Sequence, residues 1–292
     1  MENQHITPFL WFNDNAEEAF NFYTSVFDNS KIKSTNRMPD GKVLTLSFEL
    51  EGQAFGALNG GPMFTFNPSV SFFVICETEA EVDATWHKLT EGGQVMMALD
   101  TYPWSGRYGW GSDRFGVSWQ VMLGKVADYG QKIIPCLMFA GEQLAKADEA
   151  VNFYTSLFKN AEITTISRYP AENPDTEGAL QYAQFTLNGQ TFSIMGSVMP
   201  HAFAFNEAIS FVINSETQAD IDHFWNKMTE GGGKESQCAW LKDKYGVSWQ
   251  IVPPILMTLM GDKDAAKAQR VMQAMMQMKK IVIADLGSAY NQ

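Results

Sequence analysis

Apolar positions along this chain switch between strand and helix periods, and the switching repeats. Ile6–Phe12 is an apolar run of strand length. After it Ala16, Ala19, Phe20, Tyr23, Val26 and Phe27 recur at helical spacing, with Asn13 or Asp14 placed to cap the helix and Glu17 and Glu18 in its first turn. Three strands are predicted next, near Ile32–Arg37, Val43–Leu50 and Gln53–Leu58. In the second of these Leu44, Leu46, Phe48 and Leu50 alternate with polar groups, and Glu51-Gly52 supplies the turn to the third. The order then restarts. Val70–Cys76 reads as a strand, Thr78–Glu91 as a helix stopped by Gly92-Gly93, and Gln94–Leu99, Gly106–Gly111 and Val117–Leu123 as strands. The pattern is βαβββ, twice.

The whole of that unit then occurs a second time. Phe20–Ile32 (FNFYTSVFDNSKI) stands against Val151–Ile163 (VNFYTSLFKNAEI), Trp86–Gly93 (WHKLTEGG) against Trp225–Gly232 (WNKMTEGG), and Phe115–Met122 (FGVSWQVM) against Tyr245–Val252 (YGVSWQIV). Three matched blocks in one order mark a domain duplication, with a period far longer than that of solenoid repeats. The predicted domains are residues 1–127 and 132–256, followed by a tail over 257–292. Two drifts in the offset predict loops: an insertion in copy two, Ala171–Glu177, and extra residues in copy one around Thr101–Gly109. In the tail, Asp262–Leu286 reads as a single amphipathic helix with Val271, Met275, Met278 and Val282 on one stripe, suited to packing on the body or on a second copy.

Composition narrows the function. The 292-residue chain carries a formal net charge of -12, which argues against nucleic acid and against an anionic membrane surface. No apolar run approaches the ~20 residues of a membrane-spanning helix, and no signal peptide is visible. Three scattered cysteines, Cys76, Cys136 and Cys238, form no C-x-x-C and suit a reducing cytoplasm.

Paired βαβββ modules, with N-F-Y-x-x-x-F closing the first helix and D-x-(Phe/Tyr)-G-V-S-W-Q on the last strand, resemble the vicinal oxygen chelate superfamily of glyoxalase I, bleomycin-resistance proteins and extradiol dioxygenases. Within it the chain is similar to the PhnB-like branch, whose members often carry the name 3-demethylubiquinone-9 3-methyltransferase. The resemblance implies an α+β fold of tandem glyoxalase-like domains. Each would curl its two modules into one curved mixed sheet with helices outside, and the pair would pack as an internal pseudo-dimer with a C-terminal helix. It also implies a metal held on the concave face by His, Glu or Gln at set strand positions.

Those positions do not hold a ligand set. The first-strand position falls on Pro8 and Pro135, the fourth-strand position near Gly56 or Ala57 and Ser193 or Ile194, and the start of the second module near Ser69 or Val70. Only the last strand offers a donor, Gln120 and its counterpart Gln250, and one neutral amide does not hold a divalent cation. His5, His87, His201 and His223 share no ligand spacing, and none is duplicated. For S-adenosylmethionine, Gly106–Gly111 is the only glycine-rich cluster, and it has the wrong order and runs into a strand. Cys238 has no sequence-near base. Period-2 alternation turns Ser118, Gln120 and Met122 to the pocket and Trp119 and Val121 under the helices. Trp104, Arg107 and Tyr108 concentrate aromatic and cationic chemistry in the extra segment of copy one, whereas Trp110 matches Trp240 and reads as core.

The function expected from these residues is metal-free, cofactor-free binding of a small apolar or aromatic molecule at Gln120, Gln250, Ser118, Trp104, Arg107 and Tyr108. Two alternatives stand beside it: a metal-dependent lyase, dioxygenase or isomerase of the superfamily, and a structural or interaction protein with filled pockets. Methyl transfer is disfavoured. A homodimer through the tail is an arrangement the stripe allows. Elemental analysis of the purified protein should find no stoichiometric Zn, Ni, Mn or Fe; a metal bound at Gln120 would overturn that.

Overall fold

The computed structural model describes residues 6–38, 40–170, 177–199 and 201–292. The insertion expected at Ala171–Glu177 lies, up to residue 176, outside the described residues. Copy one runs β1 (Ile6–Phe12), α1 (Ala16–Val26), β2 (Ser30–Arg37), β3 (Val43–Leu50), β4 (Gln53–Asn59), then β5 (Val70–Cys76), α2 (Glu79–Thr90), β6 (Gln94–Tyr102), β7 (Ser105–Ser112) and β8 (Ser118–Leu123). A one-turn helix α3 (Val126–Tyr129) leads into copy two: β9 (Ile133–Ala140), α4 (Ala147–Leu157), β10 (Ala161–Arg168), β11 (Leu180–Leu187), β12 (Gln190–Ser197), then β13 (Ile209–Asn214), α5 (Gln218–Thr229), β14 (Lys234–Glu235), β15 (Trp240–Lys242) and β16 (Ser248–Val252). The tail holds α6 (Pro254–Met260), α7 (Ala265–Gln277) and α8 (Ile283–Asn291).

Local sequence explains most of these elements. The apolar spacing of α1 buries Ala16, Ala19, Phe20, Tyr23 and Val26. Its cap is Asn15 rather than Asn13 or Asp14, and the Ala16 N–H donates to the Asn59 side chain at 2.9 Å. Thr78 caps α2, its hydroxyl accepting from the Glu81 N–H. Glu51 and Gly52 turn between β3 and β4 with φ of 49 and 79°, as a two-residue hairpin with right-handed strand twist requires. The extra residues of copy one are not a loop. They lengthen a hairpin in which Tyr102 pairs with Ser105.

The expected single curved sheet per copy is overturned by the strand order. There are two mixed eight-stranded sheets, β14-β15-β16-β13-β1-β4-β3-β2 and β10-β11-β12-β9-β5-β8-β7-β6. Each takes one module from each copy, and each is an open sheet with two edge strands rather than one curled closed. The joining pair in the second sheet is β5 with β9, antiparallel from Val70↔Leu137 to Val74↔Ile133. The connection explains this. Gly124–Lys132 brings the chain back past β8, and the Ile75 N–H donates to the Lys132 carbonyl, so copy two begins beside β5. The pairing satisfies a strand edge that a lone module would leave bare.

The chain divides into two compact units. One is Leu10–Ala204, which contains the entire second sheet; the other is Phe205–Gln292 with β1 up to Phe9. In the first unit an aromatic series joins the two modules of copy one: Phe48 to Phe55 at 5.1 Å, Phe55 to Phe72 at 5.6 Å, Phe72 to Trp119 at 5.4 Å and Trp119 to Tyr23 at 5.5 Å. Below it lies the buried carboxylate of Asp113. One oxygen accepts from Tyr23 Oη at 2.7 Å and Trp119 Nε1 at 2.8 Å, the other from the N–H groups of Phe115 and Val117. The second unit repeats the motif: Asp243 accepts from Trp249 Nε1 at 2.9 Å and from the N–H groups of Tyr245 and Val247.

The tail corrects a second expectation. Instead of one helix over Asp262–Leu286 there are α7 and α8, parted by an extended stretch beginning at Met278. Two carbonyls of that stretch, Met278 and Lys279, accept from the N–H groups of Cys238 and Ala239. Ile281 is fully buried, and the Gln218 side chain bridges the Ile281 carbonyl and the Ile283 N–H. The β-branched run Ile281-Val282-Ile283 favours extension, and these partners hold it. Copy two lacks the long β6–β7 hairpin, and the tail supplies its Cys238–Ala239 backbone with other acceptors.

Asp113→Ala should cost roughly 3 kcal/mol or more, because it strands two buried ring donors and two N–H groups. Asp113→Asn, which keeps an acceptor, should cost less. Urea unfolding measures both, and a loss below about 1 kcal/mol for the alanine variant would refute the role given to Asp113.

Candidate functional site

The inner face of the second sheet brings together one residue from each of its four central strands. Strand register sets Ser193 beside Cys136 and Cys136 beside Ser71. Gln120 on β8 reaches across, its Nε2 donating to Ser71 Oγ at 2.8 Å and to Met195 Sδ at 3.5 Å. Its Oε1 accepts from Tyr108 Oη at 2.7 Å. Ser118 accepts from Trp110 Nε1 at 2.9 Å. Ser118 and Gln120 thus share one face of β8, with Trp119 on the opposite face against Tyr23 and Phe72.

Around this polar row packs an apolar layer. Phe73, Ile75, Trp110, Met122, Ile134 and Met138 are buried in it, and Met96, Met97, Tyr102, Tyr182, Met195 and Phe203 lie partly buried against it. The donors do not fit the superfamily's metal. Gln120 has its amide fully engaged, and Ser71 and Ser193 are neutral. Burial pushes the Cys136 thiol from 9.0 up to about 12, against the pull of Ser193, Ser71 and Gln120. Burial likewise pushes Tyr108 and Tyr182 upward. A thiol, an amide and hydroxyls that all hold their protons do not replace the water shell of a divalent cation. Among the described residues no group of three or more His, Cys, Asp or Glu could hold a metal ion. On this face β9 presents Cys136 rather than its neighbour Pro135, and β5 presents Ser71. Cys136 lies one residue beyond Pro135, and that single step reverses the strand's faces.

Other singled-out residues separate. Trp104 is exposed at the hairpin tip, stacked on Tyr102 at 5.1 Å, and Tyr102 meets Tyr108 edge-on at 5.5 Å. Arg107 turns to the opposite face and pairs with Asp83 of α2 at 2.7 Å. Gln250, in the second unit, donates to Ser210 Oγ at 2.9 Å. His87 and His223 are exposed on α2 and α5, and His201 stacks on Phe203 at 4.7 Å. The Gly106–Gly111 run lies within β7, where a side chain at Gly109 would meet the Trp86 ring at 2.8 Å. Those glycines make room for a helix residue and do not form a phosphate-binding turn before a helix.

Glyoxalase I from Zea mays shares this architecture, with a TM-score of 0.56 over 86% of this chain and 94% of that one at 11% identity; a likeness at that identity shows the fold alone. The class is the vicinal oxygen chelate fold, here with no metal-ligand cluster among the described residues. The chain matches the 3-demethylubiquinone-9 3-methyltransferase family over residues 4–122 and again over 131–252, and it belongs to that family. The PhnB protein from Bacillus cereus is 45% identical over 41% of this chain and 100% of its own, with a TM-score of 0.40. A protein from Staphylococcus aureus is 33% identical over 43% of this chain and 100% of its own, with a TM-score of 0.19. No curated protein matches the chain.

Cys76 and Cys136 are both raised from 9.0 to about 12, so the native state keeps two protons that the unfolded chain releases above pH 9. Stability should be undiminished by these thiols below that pH and fall as pH rises from about 9 to 12. Disulfide-reagent titration of the native protein near neutral pH should modify at most Cys238, and all three thiols only after denaturation. Rapid native labelling of Cys136 would contradict the site described.

Proposed function

We propose that the protein binds a small apolar or aromatic molecule on the inner face of the second sheet, without metal and without a catalytic thiol. The observation that carries this is the partly buried layer of Met96, Met97, Tyr102, Met195 and Phe203 over a polar floor whose hydrogen bonds are already made. Methionine side chains are unbranched and repack at small cost, so such a layer can part for a ligand and close around it. Gln120, Tyr108 and Ser118 hold the floor rigid, and the Tyr102–Trp104 stack stands at the rim. Arg107 is committed to Asp83 and has no part in the site. Gln250 with Ser210 is the corresponding pair in the second unit.

A second reading is favoured by the burial of Phe73, Met122 and Met138: the face is filled by its own side chains, and the protein acts through its surface. Nuclear magnetic resonance of methionine methyl groups separates the two. On titration with indole, the Met96, Met97 and Met195 methyls should shift saturably, and Met195→Ala should change the affinity. If none of these methyls responds and native mass spectrometry of the fresh protein shows only the bare chain, the binding reading fails.

Two coarser matters support the setting. Among the described residues no helix is long and apolar enough to cross a membrane, and three unbridged thiols suit a reducing compartment such as the cytoplasm. The tail exposes Ile255, Met257, Met272 and Met276, which supports self-association with a second copy. Sedimentation across a concentration series reads that directly, and a monomer throughout would exclude it.

A further inference from the structure

A groove of about 590 Å³ lies on the outer surface of the first unit, lined by Glu18, Asn21, Phe22, Ser25, Lys88, Glu91 and Arg114. It is far from neutral in detail. The Arg114 guanidinium lies over the Phe22 ring at 4.6 Å and the Phe115 ring at 5.1 Å. It forms a long, exposed ion pair with Glu18, at 3.6 Å. Lys88 reaches only the Ser25 carbonyl, at 3.3 Å. The Glu91 carboxylate and the Asn21 amide make no hydrogen bond or ion pair among the described residues. Two cations and two carboxylates thus face one groove; Arg114 and Glu18 share one long exposed ion pair, whereas Lys88 and Glu91 form no ion pair among the described residues.

The duplication supplies an internal control. Glu18, Asn21, Phe22, Ser25, Lys88 and Glu91 recur in copy two as Glu149, Asn152, Phe153, Ser156, Lys227 and Glu230, and Arg114 recurs as Lys244. Most of these side chains are exposed in copy one, where packing imposes no choice. Other exposed positions of α2 have drifted: Glu79, Ala84 and His87 correspond to Gln218, His223 and Asn226. The inner faces have drifted in part: Ser71, Ser118 and Gln120 recur as Ser210, Ser248 and Gln250, whereas Tyr108 stands against Cys238 and Cys136 against Phe9. Since the two copies separated, the groove has changed less than the site that the fold would suggest.

We propose that this groove is a binding site for a small zwitterion of the amino-acid class. Its carboxylate would lie on the Arg114 fork and Lys88, and its ammonium group on Glu91. A planar guanidinium with free N–H groups suits a carboxylate. The lining is charge-balanced, whereas the whole chain carries -12, so a simple anion is repelled on approach and a zwitterion is not. This site is separate from the inner face, and each can fail without the other.

Calorimetry of the full chain with each proteinogenic L-amino acid tests the assignment, with acetate and methylammonium as half-ligands. At least one amino acid should bind saturably and more tightly than either half-ligand. Glu91→Gln combined with Glu230→Gln, and separately Lys88→Met combined with Lys227→Met, should weaken it roughly tenfold. These side chains are exposed, and unchanged thermal unfolding of the variants verifies that they fold. The proposal is overturned if no amino acid binds, if acetate alone binds as tightly, or if both double variants bind like the parent chain.

Discussion

The buried carboxylate of Asp113 is the contact on which copy one depends. It gathers the hydroxyl of Tyr23 from α1, the indole of Trp119 from β8 and two N–H groups of its own turn. Burial raises its proton affinity and the four donors oppose that. The cost of bringing a charge inside is met by hydrogen bonds from both modules, so removing either module leaves an uncompensated group. This explains why the N-F-Y and D-x-(Phe/Tyr)-G-V-S-W-Q motifs travel together: one supplies the tyrosine, the other the acid and the tryptophan. Within these motifs Tyr23, Asp113 and Trp119 serve the scaffold.

That clamp spans the two modules of copy one although they lie in different sheets. Tyr23 belongs to the module of the first sheet and Asp113 to the module of the second. The covalent copy is held together through its aromatic core, while hydrogen-bonded sheets form with strands of the other copy. The two kinds of cohesion need not follow the same partition of the chain, because side-chain packing acts through the helix-bearing face and strand pairing through the edges.

On the inner face of the second sheet the same fold that elsewhere houses metal chemistry has been given over to Gln120, Ser71, Ser193 and Cys136, beneath methionines and aromatic rings. Every polar group there keeps its proton and most have a protein partner. Such a face favours apolar contact over ionic chemistry. A groove lined by charged groups lies instead on the outer surface, beside α1 and α2.

Much of this was legible in the chain itself. The duplication, the βαβββ order and the burial of Trp119 all follow from period and residue type, which are local properties. The strand partners were not legible: β5 meets β9 through a short connection, and nothing in a hydrophobic period says which bare edge a module will take. The place of Cys136 beside Ser71 and Ser193, and the turning of Arg107 away to Asp83, were lost for a related reason. A one-residue change of register reverses a strand's faces, and register is set by the neighbouring strand. The tail shows the same limit, since its helix breaks where Met278 and Lys279 find backbone donors some forty residues earlier in the chain. The amino-acid sequence by itself determined the modules and their number. Only the tertiary structure decided which modules share a sheet and which side chains share a face, because both depend on contacts between residues that the sequence keeps far apart.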